Sequence, residues 1–281
     1  MRVITKFDPW KSELCTCPPK YSFSPYVGCF HGCLYCYVTY IPKFGVVRAK
    51  KNLLNGLKKD LTKLPVQSLI SMSNSSDPYP PIERKLELTR KSIQILAKSN
   101  LRLLVLTKSN IVMRDADILS KMNCAVSLTI TTLDDYKASK LEKNAPKPIK
   151  RVKALKYLKS HKIPVILRLD PVLPFLTEDD IEEVLEKCKF VDHVVTSTLK
   201  LKYDSYKKLV SAFPEIKSFY KEMYFKKGQK IKNSWYLPRS FRKRLLNRVV
   251  QTCHELGLSV AFCREGFKFN AKSCDGSHLI N

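Results

Sequence analysis

Acidic residues are scarce in this 281-residue chain: 25 Asp and Glu stand against 51 Lys and Arg, a formal charge of +26. A surface this one-sided repels itself unless something anionic relieves it. Nucleic acid is the natural partner, because basic surfaces bind phosphates by releasing counterions. A lysine-rich thermophile surface is the plain alternative, but that pattern normally adds Glu alongside Lys. Long apolar runs are missing too. Nothing approaches the ~18 to 20 residues of a membrane span, so no membrane partner is expected. The opening "MRVITKFDPW" lacks the apolar segment and small-residue cleavage site of a secretory signal, which reads as cytoplasmic. Repeats, low-complexity tracts and long linkers are also absent, so domain boundaries are weakly marked.

What remains is an ordinary globular composition, 44% hydrophobic and 10% aromatic, on a chain long enough for one large α/β barrel or two smaller domains. Short β-branched runs recur at 67–73, 101–107, 124–131, 164–170 and 191–198, separated by helix-like stretches at 83–99, 114–122, 148–160 and 177–188. Strands that alternate with helices pair in parallel. Their nearly continuous apolar character suits strands covered on both faces. Thr177 with Asp180 reads as a helix start, and Pro148 suits a first turn. Five or six such units make a partial (β/α)6, TIM-like barrel, with ligands at the carboxyl ends of the strands. Polar residues gather there: "SNSSDPY", "TKSN", "TITTLDD", "RLDP" and "TSTLK". The expected organisation is an N-terminal segment 1–24, a barrel 25–200 and a basic C-terminal extension 201–281. The extension holds a helix capped by Ser240 and stopped by Gly257, then a short strand "LSVAFC".

Ten cysteines in a chain without an export signal favour metal over disulfides, and half of them crowd into residues 15–36. Disulfides inside hyperthermophile cells are the exception to that rule. "GCFHGCLYCY" places Cys29, Cys33 and Cys36 on one tight loop. A structural zinc site wants four protein ligands, usually two close pairs. Three thiolates suit an iron–sulfur cube that leaves one iron open to another ligand. Gly28 and Gly32 permit the sharp backbone path that wrapping a cube needs. His31 reads as a spacer and not as a ligand.

The CxxxCxxC pattern, with Tyr35 before its last cysteine, resembles the cluster signature of the radical S-adenosylmethionine (SAM) superfamily. "SPYVGCFHGCLYCY", "SDPYPPIERKLELTR", "LLVLTKSNIVMRDADIL", "VSLTITTLDD" and "LEKNAPKPIKRVKALKYLKSHKIPVILRLDPVLP" together look like its spore photoproduct lyase-like, DNA-repair photolyase-related branch, over roughly residues 20–200. The resemblance implies a radical SAM-type partial barrel with a [4Fe–4S] cluster on Cys29, Cys33 and Cys36. It implies SAM at the open iron, cleaved reductively to a 5′-deoxyadenosyl radical, and an electron donor such as a ferredoxin or flavodoxin. Tyr35 would pack by the cluster or adenine. Asn74, Ser75, Ser76 and Asp77 would lie near the methionine part of SAM, and Lys108 would meet its carboxylate. Ser127 and Thr129 would face the barrel, and Arg168 would meet the cofactor carboxylate or a substrate phosphate. These positions offer a cation and hydroxyl donors to a cofactor with a carboxylate, hydroxyls and an adenine. The plain readings are a solvated Lys108, turn-forming Ser75 and Ser76, a capping Asp77, and an Arg168 paired with Asp170. One departure stands out. Spore photoproduct lyases carry a hydrogen-returning cysteine near the end of the strand after the cluster loop, and "SMSNSSDPY" has none. Tyr37, Tyr40 or Tyr79 is left as the nearest donor in sequence, and Cys124 lies at the wrong end of its strand.

Cys15 and Cys17, with Cys263 and Cys274 far downstream, could form a second four-cysteine site for zinc or another cluster; disulfides or free thiols are the alternatives. Cys188 and Cys253 sit at apolar helical positions and read as core. In "YFKKGQKIKNSWYLPRSFRKRLLNR", residues Lys226, Lys227, Lys230, Lys232, Trp235, Arg239, Arg242 and Arg244 form a candidate nucleic-acid surface, with cations for phosphates and aromatics for bases. The bland reading is a hairpin that packs its aromatics inward. The leading function is a radical SAM enzyme that abstracts hydrogen from DNA or RNA, in lesion repair or nucleotide modification, by lyase or modification chemistry. The alternatives are a zinc- or cluster-bearing nucleic-acid-binding protein without catalysis, and a radical SAM enzyme acting on a peptide or small molecule.

Overall fold

A computed structural model describes residues 2–7, 12–38 and 40–281. One eight-stranded sheet organises the molecule: β1 (Ile4–Lys6), β2 (Tyr21–Phe23), β3 (Leu69–Met72), β4 (Arg102–Thr107), β5 (Cys124–Thr129), β6 (Val165–Val172), β7 (His193–Thr198) and β8 (Val260–Phe262). The strands lie side by side in chain order. β1 runs antiparallel to β2, and every later neighbour is parallel. Parallel neighbours need long crossovers, and helices supply them. The result is the α/β partial barrel expected from the strand and helix pattern. Three of its strands, β1, β2 and β8, come from outside residues 25–200. Neither the short "YSF" of β2 nor "ITK" of β1 carries enough apolar periodicity to announce a strand.

The two faces of the sheet divide by residue alternation. Val126, Leu128, Val165, Leu167, Leu169 and Val194 point outward into the main core, where they meet helices such as α1 (Leu53–Leu61), α2 (Leu88–Leu96), α3 (Pro148–Ser160) and α4 (Ile181–Lys187). Each fully buried Leu, Ile or Val here contributes roughly 1.5–3 kcal/mol. The inward face changes character along each strand. At the amino ends Leu69, Leu104, Ala125, Ile166 and Val195 close around Ile280 of the C-terminal tail. Farther along, the inward residues are polar, among them Ser127, Thr129, Arg168, Asp170 and Ser197. The bottom of the barrel is a packed plug and the top is a polar basin.

Local details differ from the sequence expectation where tertiary contacts intervene. The helix expected over 83–99 is two, Glu83–Leu86 and α2, because Glu87 is left-handed (φ 52) and buried Glu83 accepts from Thr89 N (2.9 Å) and Arg90 N (3.2 Å) at the start of α2. Thr177 does not cap α4; its hydroxyl accepts from Leu173 N at 3.0 Å. The basic helix α5 spans Arg239–Glu255 with Pro238 at its N-cap, so Ser240 lies inside the first turn. Pro148 opens α3 as expected, and Gly257 ends the basic helix at φ 66. Cys188 and Cys253 are fully buried core residues, and Cys124 packs on the outer face with its thiol donating to Leu119 O. Among the described residues no helix is long and apolar enough to cross a membrane.

Candidate functional site

The carboxyl ends of the strands surround a cavity of about 1230 Å³, large enough for a nucleotide-sized ligand. Its wall includes Cys29, Cys33 and Cys36, whose loop is held rigidly from below. Gly28 (φ 85) is obligatory there, since a Cβ would stand 2.3 Å from the carbonyl oxygen of Val46. Cys29 N donates to Phe44 O at 2.8 Å, and Leu34 N to Leu141 O at 2.9 Å. Asn144 closes the loop from the other side, its backbone N donating to His31 O (3.0 Å) and its side chain to Phe30 O (2.9 Å).

Three buried groups back the loop. Tyr35 donates through its hydroxyl to Glu142, and Glu142 pairs with Arg151 at 2.5 Å, each nearly free of solvent. Burial raises the Tyr35 phenol and alone would raise the Glu142 carboxyl as well. Arg151 and Lys108 outweigh burial at Glu142 and hold it below the ordinary carboxylate range. Tyr35 therefore lines the cavity as a fixed platform. Glu142, Asn144 and Arg151 were not singled out by sequence reasoning; their one signal was their place in the segment "LEKNAPKPIKR".

The segment after β3 forms the rim opposite this platform in sequence order. Asn74 is engaged by Ser71 (2.7 Å) and Ser22 (2.8 Å), and Ser76 by Ser24 (2.7 Å) and the Tyr26 carbonyl (3.1 Å). Ser75 is exposed and faces the cavity. Asp77 is a hub: it accepts from Thr107 Oγ1 (2.8 Å), Lys108 N (2.7 Å) and Tyr79 N (2.9 Å), with His31 Nε2 at 2.9 Å. Burial alone would raise the Asp77 carboxyl, but His31 and these donors pull it below its ordinary value. Asp77 thus organises the rim, and the spacer reading of His31 gives way to that of a tether.

Lys108, Thr129 and Arg168 line the basin, whereas buried Ser127 lies one layer deeper on the same face, 3.4 Å from Arg168 Nε. Arg168 is already paired with Asp170 at 2.7 Å. Lys108 makes no ion pair among the described residues; its ammonium sits 5.5 Å over the Tyr35 ring. Burial would lower it, but Cys33 and Glu142 raise it, so it stays charged. Of the deep cations among the described residues, Lys108 is the one without a carboxylate of its own. Tyr37 and Tyr40 face the cavity, but Tyr79 is fully buried and does not.

The three loop thiols fit a cluster. Burial pushes Cys29 up to about 11 and raises Cys33 and Cys36, so as free groups they stay protonated and would ionise only against a metal centre. Among the described residues no three His, Cys, Asp or Glu side chains converge as ligands of a single ion.

Cys15, Cys17, Cys263 and Cys274 line the same cavity, brought there from both ends of the chain. The basic set is more divided. Lys226 and Lys227 lie at 3.0 and 3.4 Å from Glu222, and Lys230 leans on the Trp235 ring. Trp235 packs edge-on against Phe225 in a second apolar cluster, so it is not a free base-stacking face. Arg242 is a correction: it is 2% exposed, with Glu265 at 2.8 Å, and serves the core. Arg239 and Arg244 are exposed and lie against Phe267 and Phe241. Lys232 is exposed at the turn of the Gln229–Ile231 and Ser234–Tyr236 ribbon, on the cavity wall.

Residues 23–188 match the Radical SAM superfamily. The chain is 28% identical over 250 residues to the uncharacterized protein MJ0683 of Methanocaldococcus jannaschii, covering 86% of this chain and 88% of that one. A double mutant of spore photoproduct lyase with bound AdoMet and dinucleoside spore photoproduct superposes with a TM-score of 0.67 at 15% identity, over 93% of this chain and 80% of the other. Streptococcus suis SuiB bound to S-adenosylmethionine does so at 0.56 and 13%, over 86% and 46%.

Proposed function

Because the chain belongs to the radical SAM superfamily, whose members use a [4Fe–4S] cluster and S-adenosylmethionine and need a reductant, we propose that Cys29, Cys33 and Cys36 hold that cluster and that the enzyme abstracts hydrogen from a nucleic acid. The observation that carries this reading is the placement of all three thiols on one cavity with Lys108 and the carboxyl ends of the parallel strands. When bound, the cluster and SAM supply a hydrogen-abstracting 5′-deoxyadenosyl radical. The chain's own residues bind, orient and enclose. Lys108 is the free cation for the SAM carboxylate, Tyr35 the flat surface beside it, and Ser75 and Thr129 the available hydroxyls. Asn74, Ser76 and Asp77 hold the rim in register and, being already hydrogen-bonded, contribute geometry more than new contacts. Arg168 and its Asp170 partner form a dipolar pair for a ribose or phosphate.

The nucleic-acid substrate is supported by the charge of +26 and by lysines on the cavity wall, Lys202 and Lys232 among them. It is supported also by the dinucleoside photoproduct named with the spore photoproduct lyase structure. DNA-lesion repair and nucleotide modification both fit this reading. A non-catalytic zinc module does not fit the family.

The test is anaerobic reconstitution followed by reduction with SAM. Wild type should yield 5′-deoxyadenosine, and Cys33→Ala should hold less iron and yield none. Deuterated DNA or RNA should pass label into that product. Product formation that ignores nucleic acid and never carries label would remove the substrate assignment and leave the cofactor chemistry standing.

A further inference from the structure

The function proposed above uses three of the ten cysteines, and four more stand on the same cavity. The barrel is open: β1 and β2 form one edge of the sheet, β8 the other, and among the described residues no ladder joins them. Cys15 and Cys17 precede β2. Cys263 follows β8, with its backbone N bonded to Thr196 O at 2.9 Å, and Cys274 lies in the tail. The four thiols therefore come from both sides of the seam.

The seam is drawn together where they meet. Cys274 donates to Cys17, with sulfurs 3.3 Å apart. Beside them buried Lys20 pairs with buried Asp275, a second link between the same two segments. Two thiolates on one zinc at about 2.3 Å stand about 3.8 Å apart, and a disulfide bond is about 2.05 Å long. The Cys17 to Cys274 spacing is close to a ligand edge and far from a bond. No carboxylate or imidazole is needed to complete the set, and an all-thiolate site selects zinc or an iron–sulfur cluster. Among the described residues no three ligands converge on one point, so Cys15 and Cys263 must move toward the close pair for a metal to be held.

We propose that Cys15, Cys17, Cys263 and Cys274 bind a second soft-metal centre, zinc or an iron–sulfur cluster, which fastens the C-terminal tail to the first strands and closes the side of the barrel that the sheet leaves open. The centre forms part of the wall of the reaction cavity. It places the tail, whose Ile280 plugs the barrel floor, under the control of metal binding.

Metal content answers this independently of turnover. Wild type, a triad variant (Cys29→Ala, Cys33→Ala, Cys36→Ala) and a quartet variant (Cys15→Ser, Cys17→Ser, Cys263→Ser, Cys274→Ser) are purified without oxygen and assayed for zinc and iron. The triad variant should keep about one zinc or up to about four irons per chain, lost on chelation together with several degrees of melting temperature. The quartet variant should lack that fraction. Should the quartet variant not fold, the triad variant with Cys17→Ser added gives the same comparison. Equal metal in wild type and the quartet variant overturns the proposal. So does a metal-free triad variant whose four thiols are all alkylated, or are found by mass mapping as a disulfide. A triad variant with the full wild-type metal content would instead count against the first cluster, so the two readings fail separately.

Discussion

His31 Nε2 lies 2.9 Å from Asp77 Oδ2, which ties the middle of the cysteine loop to the segment after β3. Both groups are buried, and Asp77 also receives the Lys108 backbone and the Thr107 hydroxyl. The loop, the rim after β3 and the Lys108 turn are therefore joined through one buried carboxylate.

Cutting this tie should loosen the cluster before it unfolds the protein. His31→Ala leaves a charged acceptor short of one partner, a cost of about 1–3 kcal/mol. Reconstituted iron, measured after desalting, should fall well below wild type while circular dichroism is unchanged. Full iron retention in the variant would show that Asp77 does not position the loop.

Lys108→Met keeps the length of the side chain and removes its charge. SAM affinity, measured by equilibrium binding to the reconstituted protein, should weaken tenfold or more, about 1.4 kcal/mol, with the iron content intact. Arg168→Met should cost SAM affinity less, since Asp170 already neutralises that cation. The reverse order would assign the carboxylate to Arg168.

Arg242 and Lys230 lie in one basic stretch and should behave oppositely. Removing buried Arg242 takes one of two cations from buried Glu265, which keeps Lys200 at 2.7 Å, so Arg242→Ala should destabilise by about 1–3 kcal/mol in a thermal or denaturant melt. Lys230→Ala, at an exposed position, should leave the melt nearly unchanged and reduce the salt slope of DNA binding by about one. A salt slope that responds to Arg242→Ala in folded protein and ignores Lys230→Ala would reverse the assignment.

Acid should weaken the barrel floor. Burial strips water from His193, and neighbouring His278 and Arg168 oppose its charge more than Asp275 favours it, so its pKa falls to about 4. The unfolded chain, with an imidazole near 6.5, then takes up the proton first as pH drops. The His193 contribution is complete above about pH 6.5 and is lost toward pH 4, by at most ~3 kcal/mol. His193→Asn should flatten the melting curve against pH across that window. An unchanged slope would place the proton elsewhere.

The parallel strands β3 to β7 could be read from the chain because each is a β-branched run bounded by a polar end, and strand alternation alone then puts Thr129 and Arg168 on the inward face. The cysteine loop was equally legible, since its spacing is local and glycine marks its bend. What could not be read was which polar residues are already spoken for. Nothing local to Asp77, Asn74 or Arg242 says that its partners lie 30, 52 or 23 residues away at Thr107, Ser22 and Glu265. The sequence also hid β1 and β2, too short for periodicity, and the Tyr35, Glu142 and Arg151 network, which forms only when the Leu141 turn docks on the loop.

Local chemistry determined the barrel class, the three-thiol loop and the basic character of the chain, because short-range spacing and composition set these directly. Only the folded chain decided that Lys108 is, among the described residues, the deep cation without an ion pair, that Arg242 belongs to the core, and that Cys17 meets Cys274 across the open edge. Those outcomes depend on which distant groups arrive first at a buried charge or thiol. That competition is settled by packing in three dimensions and leaves no mark in the order of the residues.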